Sequence, residues 1–228
     1  MALNAIIVGA GEGISAAFAR ALAKDGARLA LAARDTAKLA GLANETGALT
    51  IACDASNPAD VAALFQRTDN DLGPPDLVLF NASARARGPI IDLKPDDVAN
   101  ALAVGAFGGF LVGQEAARRM LPRGQGAIFF TGASASIKGY AQSAPFAMAK
   151  FALRGLAQSM ARELAPKGIH VAHFVIDGGV RSANYSGNDQ PDSALDPNAI
   201  AQAYMSVLKQ PRSAWTWELE LRPWVEKF

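Results

Sequence analysis

Residues 3–15 read LNAIIVGAGEGIS. An apolar, β-branched run ends in Gly9, Gly11 and Gly13 and passes at once into a helical pattern. Strand, glycine turn and helix make the start of a β–α unit. Glycine has a physical use in such a turn. The chain must bend sharply, and an anion can approach the backbone only where no Cβ stands in the way. The first free N–H groups of the helix, from Ile14 onward, then face that anion. The turn is a candidate phosphate cradle; the alternative is a tight connection with no ligand.

The same alternation continues along the chain. Strand-like runs occupy 3–10, 28–34, 48–53, 75–82, 126–133, 168–176 and 214–222. Helical spacing occupies 14–27, 35–47, 57–73, 95–121, 143–165 and 197–209. Asp35 is a candidate N-cap, and Pro58 sits in a first turn. Near-continuous apolar strands separated by helices predict a parallel sheet covered on both faces. Right-handed crossovers make it a doubly wound, Rossmann-like α/β fold of about seven strands. No composition break divides residues 1–228, so one domain is expected. The polar, turn-rich stretch 179–197 is long for a connection and is expected to act as a lid-like loop.

Hydrophobic residues make up 50% of the chain and charged residues 19%, the balance of a globular protein. The formal net charge of +1 gives no basic field for nucleic acid. A lone cysteine, Cys53, makes no internal disulfide and no Cys-rich zinc site, and no metal is expected. No stretch has the apolar length needed to cross a bilayer, and the start MALNAIIVGAG has no basic n-region. These features lead to an expectation of a cytoplasmic protein with a small-molecule substrate.

The end of the second strand narrows the cofactor. A dinucleotide fold that prefers NAD places a carboxylate there for the ribose 2′-OH. Here Ala33 holds that place and Arg34 follows. A guanidinium suits a 2′-phosphate, so NADP is expected over NAD. The alternative is that Arg34 is a solvated charge at a helix start.

VGAGEGIS (8–15), Asp54 in ACDAS, FNAS (80–83), AKFALRGLAQSMARELAPKGIHV (149–171) and DGGVRS (177–182) together resemble the short-chain dehydrogenase/reductase family over nearly the whole chain. Val8 and Ser15 depart from its T-G-x-x-x-G-x-G turn, and Ser83 from its N-N-A-G loop. The resemblance implies NADP(H) held by Gly9, Gly11, Gly13, Ile14, Arg34, Asp54, Asn81, Lys150, Gly178, Val180 and Ser182. It also implies a homodimer or homotetramer built through the long helices.

The resemblance further implies a relay of lysine, tyrosine, serine and asparagine that gives a proton to a carbonyl as hydride arrives. Only Lys150 is kept. The tyrosine place, four residues earlier, is Phe146; the serine place is Ala133; the asparagine place falls on Gly105. None of these side chains donates or accepts a hydrogen bond. A general acid commonly contributes about 10²–10⁴-fold and an oxyanion donor roughly 10²–10³, so the usual ketone reduction should be crippled. Tyr140 and Ser134 are the candidate replacements, although Tyr140 also suits a surface loop. Arg85 and Arg87, after the Asn81 loop, could meet an anionic substrate or be merely solvated. His170 and His173 are expected to be structural. Trp215, Trp217 and Trp224 fall in an alternating tail, of which one face is expected to be buried.

Three readings follow: an NADP(H)-dependent oxidoreductase with a non-standard site, an inactive NADP(H)-binding sensor or scaffold, and a structural subunit of an active relative.

Overall fold

The computed structural model describes residues 2–182 and 190–226. Residues 183–189 of the expected lid, and Met1, Lys227 and Phe228, lie outside the described residues.

Seven strands form one parallel sheet in the order β3-β2-β1-β4-β5-β6-β7. They are β1 (Asn4–Val8), β2 (Arg28–Ala33), β3 (Leu49–Ala52), β4 (Leu77–Phe80), β5 (Gly126–Thr131), β6 (Ile169–Ile176) and β7 (Glu218–Leu221). The connecting helices are α1 (Ile14–Lys24), α2 (Ala40–Thr46), α3 (Pro58–Asp71), α4 (Pro95–Leu102), α5 (Gly108–Met120), α6 (Ala144–Leu164) and α7 (Pro197–Leu208). The expected doubly wound α/β fold is what forms.

Alternation along the strands splits the core in two. Ala5 and Ile7 pack with Phe18, Phe129 and Tyr204 beneath α1 and α7. Ile6 and Val8 pack with Phe65, Phe130 and Leu153 beneath α3, α5 and α6. The central strands β1, β4, β5 and β6 thus bury both faces, which is why these runs are apolar without interruption. Sequence caps fix several helix starts. The Asn57 side chain accepts from Ala59 N at 2.9 Å, and Asp196 accepts from Asn198 N at 2.8 Å.

Two expectations change. The helix read as 95–121 is α4 and α5 joined by a π-helical turn, Ala103–Phe107. Gly105 in that turn lies against α6 so closely that a Cβ would stand 2.9 Å from Ala149 Cβ. The last strand is four residues, not nine. It pairs only with β6, and none of its residues is fully buried. One face of it, Leu219 and Leu221, packs partly buried against the core, as its alternation predicts, while Glu220 between them is exposed. Trp217 is 37% exposed and Trp224 73%, while Trp215 is half-buried.

At the base of the 179–197 segment, Leu195 N donates to Gly179 O and Arg181 N to Leu195 O, both at 2.8 Å.

Candidate active site

The sheet order turns back at β1: the chain leaves it for β2 and β3, then crosses to β4. In open α/β sheets ligands bind beyond the strand ends at such a reversal. A cavity of about 750 Å³ opens there, lined by Gly9, Gly11, Arg34, Asp54 and Asn81 among others. These residues come from the ends of β1, β2, β3 and β4, so the sheet assembles them from distant parts of the sequence.

The glycine turn works as its residue types predict. Gly9 has φ +79°, and a Cβ on it would lie 2.5 Å from Ala82 Cα. Gly11 faces open space. Gly13, at φ +84°, precedes α1, whose first turn has no side-chain cap and no acidic residue. Ile14 is the first helical residue. One tie was not foreseen. Ser15, at the place of the family's final glycine, is buried and donates from Oγ to Gly9 O at 3.1 Å. Asn81 Nδ2 donates to the same Oγ at 2.8 Å, and Asn81 N donates to Val8 O at 2.8 Å. The departure at Ser15 therefore stitches the glycine turn to the end of β4. A polar residue in an otherwise apolar first turn was the available signal.

At the end of β2, Asp35 is engaged locally. Its carboxylate accepts from Ala37 N at 3.1 Å and lies 3.3 Å from Lys38 Nζ. Arg34 makes no hydrogen bond or ion pair among the described residues. Asp54 accepts from the Ser56 hydroxyl at 2.7 Å and from Ser56 N at 2.9 Å. Those bonds, with the Arg34 charge adding to them, hold its carboxyl below the usual range. Burial pushes the Cys53 thiol up to about 12, with Asp60 and Asp54 adding, so it is no nucleophile.

The residues expected to carry the chemistry lie on α6 and the loop after β5. Lys150 is buried, and Nζ donates to Thr131 O at 2.7 Å. Burial first, then the Arg85 charge, lowers its pKa to about 7. Phe146, one turn earlier, packs with Ala133, Ala135 and Ala147 in a small apolar cluster. Its ring centroid is 5.8 Å from Lys150 Nζ and 4.2 Å from Arg85 Cζ. The tyrosine and serine places are thus packed hydrocarbon. The structure brings Lys150, Phe146, Ala133 and Arg85 together.

Ser134 opens a single 3₁₀ turn (Ser134–Ser136) and is half-buried. Tyr140 is 46% exposed and neighbours Lys138, whose Nζ lies 3.4 Å from Asp177 Oδ2. Among the described residues no hydrogen bond joins Ser134 or Tyr140 to Lys150. Gly178 follows β6 with φ +149°, Val180 bridges to Leu195, and Ser182 is exposed. His173 Nδ1 lies 3.0 Å from Glu218 Oε2, and Glu218 takes a bidentate bond from Arg154 at 2.6 and 2.7 Å. His170 Nε2 lies 2.8 Å from Thr216 O, with its ring stacked on Trp215. His173 ties β6 to β7, and His170 ties it to the segment just before β7. Among the described residues no group of three His, Cys, Asp or Glu could hold a metal ion.

A sequence model described as "short chain dehydrogenase" matches residues 3–191. The chain belongs to the short-chain dehydrogenase family. A solved short-chain dehydrogenase from Rhodopseudomonas palustris is 39% identical, covers 97% of this chain and 99% of its own, and superposes with a TM-score of 0.84. A metagenomic short-chain oxidoreductase in complex with NADP is 27% identical, covers 98% of both chains and gives 0.86. An uncharacterized oxidoreductase of Staphylococcus aureus is 27% identical over 225 residues, 96% of each chain.

Members of the short-chain dehydrogenase family bind nicotinamide dinucleotides, and the cleft fits that group. It combines an open backbone cradle at Gly11, the uncapped first turn of α1 and, at the end of β2, a guanidinium that makes no ion pair among the described residues. Among the described residues no helix is long and apolar enough to cross a membrane.

Proposed function

We propose that this short-chain dehydrogenase is an NADP(H)-dependent oxidoreductase acting on a small organic substrate without the usual tyrosine acid. The observation that supports it best is the environment of Arg34. It lines the cleft with no hydrogen bond or ion pair among the described residues, only a weaker attraction to Asp54, while the neighbouring carboxylate of Asp35 is engaged by Ala37 N and Lys38. An unpaired guanidinium suits the 2′-phosphate that distinguishes NADP from NAD. The glycine turn with Gly9, Gly11, Gly13 and Ile14 would take the pyrophosphate, and Asp54 the adenosine side. Asn81, Lys150, Gly178, Val180 and Ser182 would border the nicotinamide half. NADPH, when bound, supplies hydride. The chain's own part is to orient the substrate, exclude water and deliver a proton. Ser134, Tyr140 or water would bring that proton, since Phe146 and Ala133 carry none.

The apolar cluster of Phe146 and Ala133 also favours a second reading, a protein that binds NADP(H) and turns nothing over. The two separate in one assay. Protein loaded with NADPH is followed at the nicotinamide absorbance band against carbonyls, enones and imines. Turnover that Tyr140→Phe abolishes supports the enzyme with a relocated acid. Cofactor binding with no turnover on any compound supports the sensor. Phe107, Phe110, Met148 and Phe151, exposed on the π turn, α5 and α6, are the face we assign to self-association.

A further inference from the structure

The Arg85 side chain does something the proposed reaction has not yet used. The loop that carries it is fixed at both ends: Asn81 N donates to Val8 O at 2.8 Å, and Gly88 N donates to Gln142 O at 3.1 Å. Between these ties, Arg85 crosses to the start of α6 and lays its guanidinium over the face of Phe146. A guanidinium stacked on a ring engages its flat face and leaves the N–H donors at its edge free. Among the described residues no carboxylate pairs with Arg85, and no hydrogen bond uses those donors. The cations around it add to the imbalance. Arg87 is two residues on, and Lys150, with Nζ 5.8 Å from the centroid of the same ring, donates to a carbonyl. Arg85 remains exposed overall, and the packing around its head group together with the Arg87 charge lowers its pKa.

We propose that Arg85 binds the substrate, and that the substrate is an organic carboxylate whose planar, two-oxygen group lies against the free edge of the guanidinium. This rests on the oxidoreductase reading and deepens it by naming the substrate class. Chemistry favours a carboxylate because its two oxygens match a guanidinium fork in one plane. An aromatic ring at position 146 then has a use that a tyrosine would not improve: it is the platform that presents the guanidinium.

Calorimetry on the full chain, with and without saturating NADPH, tests this. Acetate, pyruvate and benzoylformate are titrated in turn, each beside its methyl ester. At least one acid should bind about tenfold or more tightly than its ester. Arg85→Gln should remove that preference, Arg85→Lys should keep only part of it, and Arg87→Gln should retain it. Unfolding midpoints of the variants within a few degrees of the parent confirm that the fold is intact. Equal affinity for acids and esters, no binding of any acid, or a preference that survives Arg85→Gln would overturn the assignment. So would inorganic phosphate binding at Arg85 more tightly than every acid. The NADPH titration in the same series is read separately. Acid preference without NADPH affinity would leave the anion site standing and defeat the oxidoreductase reading; NADPH affinity without acid preference would do the reverse.

Discussion

Between Phe146 and Lys150 runs one turn of α6, and in it the ring and the ammonium have separate partners: the ring takes Arg85 on its face, the ammonium takes Thr131 O. The buried lysine is the more sensitive reporter. Its folded pKa of about 7 lies below the ordinary lysine value. Between about pH 7 and 10.5 the unfolded chain therefore binds a proton that the folded chain does not, and stability rises with pH across that window. The gain over a Lys150→Met variant should grow by at most ~1.4 kcal/mol per pH unit there. Denaturant unfolding of both proteins without cofactor, at pH 7, 8 and 9, measures it; parallel curves would contradict it. The hydrocarbon at 146 and 133 gives a second prediction. Phe146→Tyr with Ala133→Ser should raise kcat/KM for neutral ketones about 10²-fold or more, because an acid and an oxygen holder return together. Steady-state kinetics checks it, and an unchanged rate would show that Lys150 is not aligned for the relay.

Among the elements, the β1–α1 turn divides its glycines by duty. Gly9→Ala puts a Cβ into the backbone of Ala82 at a positive φ, so the fold should lose several kcal/mol, ~2–4 on the scale of severe backbone substitutions. Gly11→Ala meets nothing within 4 Å, so its unfolding midpoint should be nearly unchanged while NADPH affinity falls. Thermal unfolding beside a cofactor titration separates the two, and a Gly11→Ala protein that binds normally would remove this turn from the site. The turn was legible in sequence because glycine is needed for a local reason. The stitch of Ser15 to Asn81 was not, since it joins residues 66 apart. Nor was the placement of Glu218 beside His173 and Arg154, which depends on β7 pairing with β6. The π turn also escaped the reading: its residues keep helical spacing, and the wider winding shows only in the backbone of Ala103–Phe107.

For the whole molecule, the parallel sheet and its two helical layers followed from apolar runs alternating with helices, which the sequence carries directly; the strand order came from the structure alone. The length of the edge strand was misjudged, because alternation continues beyond the four residues that pair with β6. The outer faces of α5 and α6 carry a further prediction. Phe107→Asp with Phe151→Asp should lower the mass seen by sedimentation equilibrium toward that of one chain while leaving the helical signal intact. A parent that is already a single chain at every concentration would contradict it. The account depends most on a cleft made for a phosphorylated nicotinamide dinucleotide. Isothermal titration of the protein with NADPH and with NADH is the direct measurement. The account predicts saturable binding of NADPH, about tenfold or more tighter than NADH, with most of that margin lost in Arg34→Ala. No heat of binding from either coenzyme would contradict it.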